Sequence, residues 1–132
     1  MTLFLSEEQV LVIHRAVIDA HGGLHGIRDM ALLQSAVSQP RATMFGEFLH
    51  PTIFDKAGAY LYHIARNHAF LDGNKRTATE ACDVFLRVNG YIFEGDLAAF
   101  EDMVVRVAQG AISKQQIAEF LETSYAHVSG KP

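Results

Sequence analysis

The chain lacks the features that mark several common classes of protein. Its single cysteine, Cys82, cannot form an internal disulfide, which fits a reducing compartment. No apolar run approaches the roughly 20 residues of a membrane span, and Ser6 and two glutamates interrupt the apolar start too early for a signal peptide. Cations are also scarce, since 11 Lys and Arg stand against 15 Asp and Glu, for a formal net charge of -4. We therefore expect a cytoplasmic protein that neither enters a membrane nor binds DNA directly.

What the chain does contain is enough apolar material for one folded domain. Of its 132 residues, 49% are hydrophobic. A chain of this length buries about two-thirds of its unfolded surface, so it needs no disulfide or metal to hold its core. No repeat, linker or low-complexity tract divides it. The sequence predicts a single domain over residues 1–132.

Helical signals run through most of the chain. Ser6 and Gln9 form a capping box, and apolar positions then recur at three- and four-residue steps until Gly22 and Gly23. That stripe includes His14. We expect an all-α domain of about six helices, with a short extended link at residues 91–93 and a frayed tail at 129–132. The first predicted helix follows Ser6, and the second follows Asp29 and ends at Pro40. The third spans 52–67, and the fourth begins near Gly73 or Asn74 and runs to 88. The fifth runs from Asp96 to Gly110, and the sixth follows Ser113.

Residues 41–50 differ from the segments on either side. They contain Met44, Phe45, Gly46, Glu47 and a second phenylalanine, without the spacing of a helical stripe. The pattern is typical of a short hairpin or extended loop. We predict such a flap just before the third helix.

The densest chemistry lies in residues 68–76, between the third and fourth helices. Gly73 begins a helix whose first backbone N–H groups have no helical partner, a place suited to an anion. Lys75 and Arg76 bring positive charge to it. Asp72 could hold Mg2+ together with phosphates, and the imidazole of His68 could take a proton from an attacking hydroxyl. The segment therefore predicts a site for a phosphate ester beside a base.

Each of these residues has an ordinary structural explanation when it is taken alone. His68 could be a structural histidine, and Lys75 and Arg76 could be solvated surface charges. Asp72 could be the N-cap of the fourth helix, which is compatible with metal binding only if its second oxygen is free. Their concentration in one loop favours the functional interpretation.

The segment His68-x-Phe70-x-Asp72-Gly73-Asn74-Lys75-Arg76 resembles the signature HxFx(D/E)GN(G/K)R of the Fic/Doc superfamily. Residues 22–29, 32–36, 45–47 and 60–67 are similar to Doc (death-on-curing) toxins, so the resemblance covers about residues 5 to 125. It implies a compact helical domain of about six helices with an extended flap.

Two positions distinguish the branches of this superfamily. Lys75 stands where typical Fic adenylyltransferases have glycine, and Thr79 stands where they have a second arginine. The resemblance to Doc then implies an ATP-dependent, Mg2+-assisted kinase toxin that phosphorylates a threonine of elongation factor Tu and arrests translation. Gly73 departs from this pattern, because Doc toxins can carry alanine there. AMP transfer and a catalytically silent antitoxin-binding module are the alternatives.

The resemblance also implies a role for each residue of the motif. His68 would be the base on the target hydroxyl, and Asp72 would bind Mg2+ or orient the phosphates. The nucleotide-binding residues would be Gly73 and Asn74, which form an anion hole with the helix amides, and Lys75 and Arg76, which neutralise phosphate charge.

The flap and the partner protein follow from the same resemblance. Residues Met44, Phe45, Gly46 and Glu47 would dock the target by strand pairing, although an ordinary packed loop is an equal alternative. No inhibitory Fic segment is expected, because Phe48 and Thr79 break that pattern. Restraint would come from an antitoxin resembling Phd.

Two residues of the third helix lie near the motif in sequence. His63 could support the motif loop or simply be packed. Arg66 could touch phosphate or lie at the surface.

Overall fold

A computed structural model gives the structure of residues 1–128. Within that range there are six α-helices, one 3-10 turn and four short strands. The elements are α1 (Glu7–His21), α2 (Met30–Ser38), the 3-10 turn Gln39–Arg41, β1 (Thr43–Met44), β2 (Glu47–Phe48), α3 (Ile53–Asn67), α4 (Asn74–Val88), β3 (Tyr91–Phe93), α5 (Leu97–Ala108), α6 (Lys114–Ser124) and β4 (Tyr125–His127). The prediction of an all-α domain is confirmed.

The helices begin where short polar side chains cap them. The Ser6 hydroxyl accepts the N–H of Gln9 at 3.1 Å, and the Gln9 side chain accepts the Ser6 N–H in return. Helices α3 and α6 begin with the same reciprocal capping box. Asp29 and Asp96 cap α2 and α5. These boundaries follow from local sequence and agree with the prediction.

Helix α3 is the centre of the core. It packs against α2, α4, α5 and α6. Tyr60, Leu61 and Ala57 on α3 are fully buried. At Gly58 the α6 backbone approaches closely, since a Cβ there would lie 3.4 Å from the Lys114 carbonyl oxygen. No helix within residues 1–128 is long and apolar enough to cross a membrane. The flap leads into the start of α3, and the motif loop follows its end.

The strands form two small antiparallel sheets. The second of them was not predicted from the sequence. β1 pairs with β2 across a two-residue turn, as the flap prediction expected. β3 pairs with β4 in the register Tyr91 to His127. The predicted extended link at 91–93 is thus a paired strand, and β4 is an addition to the predicted elements. The predicted frayed tail at 129–132 lies outside the described residues.

Candidate active site in the loop between α3 and α4

His68 ends α3 in a strained backbone conformation. Its φ of 52° and ψ of 46° are left-handed, a region that residues other than glycine adopt at a cost. The guanidinium of Arg28 donates from Nε to the His68 carbonyl oxygen at 2.7 Å. The His68 side chain is exposed. The predicted base is therefore held by its backbone and faces solvent, where a substrate can reach it.

The loop after His68 pairs with the segment that joins α1 to α2. Arg28 and Asp29 donate their backbone N–H groups to the Ala69 carbonyl at 2.7 and 3.0 Å. Leu71 donates its N–H to the Gly26 carbonyl at 3.2 Å. This backbone pairing, which includes an isolated bridge between residues 27 and 70, attaches the motif loop to the N-terminal part of the chain.

Asp72 is held at both its side chain and its backbone. Its Oδ2 accepts the N–H of Leu24 at 2.7 Å, and its carbonyl oxygen lies 2.8 Å from Nε2 of His14. The N-cap of α4 is Gly73, with a φ of 79° and no side-chain cap. The interpretation of Asp72 as the N-cap is wrong, because its carboxylate is turned to Leu24.

The carboxylate of Asp72 keeps one oxygen that could coordinate a metal ion. Within residues 1–128, Oδ1 has no hydrogen-bond partner, and no group of three or more His, Cys, Asp or Glu could form a metal cage there. Mg2+ typically binds through one or two carboxylates together with phosphates and water. The residues present therefore fit Mg2+ that arrives with a nucleotide.

The first turn of α4 opens into a polar cavity. The backbone N–H groups of Asn74, Lys75 and Arg76 make no hydrogen bond within the described part of the chain, as expected for the start of a helix. A cavity of about 330 Å³ lies against them, bounded by residues 72–76 and the end of α1. Lys75 and Arg76 are exposed at its edge. Free amides and two cations together suit a phosphate group.

A second cavity, of about 350 Å³, shares Lys75 and Arg76 with the first. Its far wall, on α5, is largely apolar and includes Leu97, Val104 and Val105. Thr79 also borders this cavity, and its hydroxyl donates to the Lys75 carbonyl at 3.1 Å. The space beyond the two cations is therefore lined by uncharged side chains together with the carboxylates of residues 80 and 101.

The side chain of Asn74 closes the loop. Its Oδ1 accepts the Phe70 N–H at 3.1 Å, and its Nδ2 donates to the Phe70 carbonyl at 3.0 Å. Both polar groups of the amide are thus engaged, so the residue can contribute to the predicted anion hole through its backbone N–H.

Replacing Asn74 by aspartate is expected to lower the free energy of unfolding by about 1–3 kcal/mol, because a carboxylate oxygen would face the Phe70 carbonyl. We also expect weaker MgATP binding, measured by calorimetry. Asn89→Asp is the matched control, since Asn89 pairs with the N–H and carbonyl of Leu3 in the same way, away from the loop. Equal MgATP affinities in the two variants would contradict a role for the loop in binding.

The flap is a hairpin whose turn is fully exposed. Phe45 and Gly46 form the turn with φ of 52° and 81°, and the Phe45 side chain is 98% exposed. Met44 and Glu47 pair across the hairpin and are exposed as well. At the base, the ammonium of Lys56 lies 4.2 Å from the ring centroid of Phe48. The structure therefore presents the four predicted docking residues to solvent, not as a packed loop.

His63 and Arg66 are bonded to other parts of the fold. The ammonium nitrogen of Lys114 on α6 lies 3.2 Å from Nε2 of His63 and 3.2 Å from Nε2 of His50. Arg66 donates to the Val107 carbonyl at 3.2 Å. These contacts tie α3 to α5 and α6, and neither joins the residue to the motif loop.

Burial, and next the Lys114 cation, lower the pKa of His63 from 6.5 to about 4. Between these pH values His63 therefore binds a proton in the unfolded chain but not in the folded chain. Because the unfolded state binds more protons, the free energy of unfolding falls as the pH falls below about 6.5. Allowing for partial exposure of the ring, we expect a loss of about 1 kcal/mol between about pH 7.5 and pH 5. Denaturant unfolding at both pH values measures it. His63→Gln should remove that part of the pH dependence, and an unchanged dependence would exclude His63 as its source.

The sequence did not identify two residues that hold the loop. His14 follows the apolar spacing of α1, so it was indistinguishable from an ordinary core position. Arg28 lies in a polar segment with no motif of its own. Their partners are 58 and 40 residues away along the chain, beyond the reach of local pattern.

The helical fold, the exposed histidine and the cationic helix start define a member of the Fic/DOC family. A model of that family matches residues 4–86, and the chain belongs to it. The chain is 44% identical over 110 residues to the protein named Toxin Doc of Mycolicibacterium smegmatis, covering 82% of each chain. It is 34% identical over 122 residues to the protein named Protein kinase doc of Escherichia phage P1, covering 92% of this chain and 94% of that one.

Proposed function

We propose that the chain is the toxin of a toxin–antitoxin pair and a kinase that transfers the γ-phosphoryl group of ATP to a threonine of elongation factor Tu. The observation that carries the proposal is the loop 68–76, where an exposed histidine stands beside a cationic helix start with unbonded amides. The names of the two relatives, a toxin and a protein kinase, support the same class of activity. The target is the one implied by the resemblance to Doc.

The proposed reaction assigns a role to each polar residue of the loop. The threonine oxygen forms a bond to the γ-phosphorus while the bond from that phosphorus to the bridging oxygen breaks. The threonine proton passes to the imidazole of His68, and ADP leaves with the electron pair of the broken bond. The amides of the α4 start, Lys75 and Arg76 stabilise the charge on the transferred group. Asp72 would hold Mg2+, which neutralises phosphate charge when it is bound.

The second cavity favours phosphoryl transfer over AMP transfer. If the γ-phosphate lies at the start of α4, the nucleoside extends past Lys75 and Arg76 towards the apolar wall of α5. A base prefers such a wall, and cavities of this size take nucleoside-sized ligands. The opposite orientation would direct the distal phosphates towards Thr79 and the carboxylates of residues 80 and 101, which repel them.

The exposed flap supports docking of a protein target. Short strands with free edges pair readily with an extended segment, and the side chains of Met44 and Phe45 are free to contact it. The restraining partner would be an antitoxin resembling Phd, and the activity would take place in the cytoplasm, where the elongation factor is found.

The identity of the transferred group provides the decisive test. The purified chain is incubated with elongation factor Tu, Mg2+ and ATP labelled at either the α or the γ position. We expect label from the γ position alone, and transfer at least a hundredfold slower with His68→Ala. Label from the α position would establish AMP transfer instead. No label from either position would refute this target and favour a different target or a silent antitoxin-binding module.

A further inference from the structure

His14 is a buried polar residue in direct contact with the motif loop. Its side chain lies on the inner face of α1, with 4% of the residue exposed. The ring stacks flat on Phe70, with centroids 3.7 Å apart and planes 6° apart. Its Nε2 lies 2.8 Å from the carbonyl oxygen of Asp72. Because a carbonyl oxygen only accepts, Nε2 must carry the hydrogen and donate it.

The position of the ring allows two contacts at once. With its hydrogen on Nε2 the ring donates to the Asp72 carbonyl while its face stacks on Phe70.

This hydrogen bond fixes a peptide plane at the start of α4. In a trans peptide the carbonyl and the N–H point in opposite directions. The carbonyl of Asp72 points to His14, so the N–H of Gly73 points away from it. Gly73 is left-handed, and the following residue, Asn74, is helical. A left-handed residue followed by a right-handed one makes its N–H groups converge in a concave anion-binding nest. Here the nest consists of the N–H groups of Gly73, Asn74 and Lys75.

We propose that His14 is a positioning residue of the nucleotide site, which holds the Asp72 carbonyl so that the Gly73 N–H completes this amide nest. The inference rests on the proposed function, since the nest would bind a nucleotide phosphate. His14 acts through the backbone of Asp72 and does not itself touch the ligand.

The nest needs such a restraint because of the residue at its centre. A glycine adopts positive and negative φ with similar ease, so the peptide before it turns readily. The Leu24 contact holds the Asp72 carboxylate and leaves the carbonyl free to rotate. Within residues 1–128, the structure gives that carbonyl no hydrogen bond other than the one from His14. Loss of the donor would therefore release the Gly73 N–H from the nest.

Two variants separate the hydrogen bond from the packing. His14→Phe keeps a flat ring on Phe70 but has no donor, whereas His14→Gln keeps an N–H donor at similar reach but has no ring. MgATP binding to the full chain is measured by calorimetry, and crystal structures show the orientation of the Asp72–Gly73 peptide. We expect His14→Phe to bind MgATP about tenfold more weakly, as for one lost hydrogen bond, and His14→Gln to bind it nearly as tightly as the parent.

Parental affinity in His14→Phe, or equal weakening in both variants, would overturn the inference, since packing alone would then explain the residue. If His14→Phe fails to fold, His14→Gln decides, because weak binding in a variant that keeps the donor contradicts the proposal. If the parent itself does not bind MgATP, the proposed function is refuted. The peptide orientation then decides the inference separately: an Asp72 carbonyl still directed at position 14 in His14→Phe would refute it.

Discussion

Replacing His68 by alanine is expected to lower the rate of the proposed phosphoryl transfer by roughly 10²- to 10⁴-fold, the usual contribution of a positioned base. The residue stands at the exposed end of α3, beside the unbonded amides of α4. No other imidazole lies within residues 68–76. Initial rates with γ-labelled ATP measure the effect in the purified protein, and relief of growth arrest measures it in cells.

The left-handed backbone at residue 68 calls for a second variant. Alanine adopts this conformation reluctantly, so a loss of activity could reflect a distorted loop. Asparagine tolerates the conformation better and supplies no base, and we expect His68→Asn to be as inactive as His68→Ala. His25→Ala is the control, because the His25 side chain is exposed and bonds to Asp19, so the substitution removes an imidazole that does not contact the motif loop. Near-parental rates in both His68 variants would refute general-base catalysis by this residue.

Replacing Phe70 by alanine is expected to reduce the free energy of unfolding by about 3–5 kcal/mol, the usual cost of deleting a buried aromatic side chain. Phe70 is 1% exposed, and its ring lies flat against His14. Because a domain has only about 5–15 kcal/mol in total, this loss would leave the fold marginal. Urea denaturation measures the change.

Phe45→Ala provides the matched control for Phe70→Ala. The same side chain is removed, but Phe45 is 98% exposed at the tip of the flap. We expect no change in stability beyond about 0.5 kcal/mol. A loss below about 1 kcal/mol for Phe70→Ala would show that the loop collapses around the missing ring more completely than cores usually allow.

The six helices could be predicted from the sequence because the signals that start them are local. Ser6, Thr52 and Ser113 each lie three residues before the partner that completes a capping box. The glycine pair after α1 and the proline after α2 mark the ends as plainly. Strand β4 was not predictable, because its three residues show no alternation of apolar and polar side chains. They form a strand by pairing with β3, which is distant in sequence.

The sequence concentrates the candidate side chains in residues 68–76, and their roles stay a prediction. The pattern does not show which of their atoms are already engaged. The amide of Asn74 is occupied by Phe70, and one oxygen of Asp72 by Leu24. Each of these bonds depends on how the loop closes and on what packs against it, which a linear pattern does not record.

The motif loop pairs with the α1–α2 connection, so the candidate site depends on two segments that lie on opposite sides of the flap in sequence. His14, Leu24 and Arg28 precede the flap, whereas His68 and Asp72 follow it. The flap turn at Phe45 and Gly46 is an exposed point between these two groups. A chain cut at that turn would yield two fragments. One would carry the residues that hold the motif loop, and the other would carry the motif itself. We therefore expect neither fragment alone, and only the two reassociated, to form the proposed site.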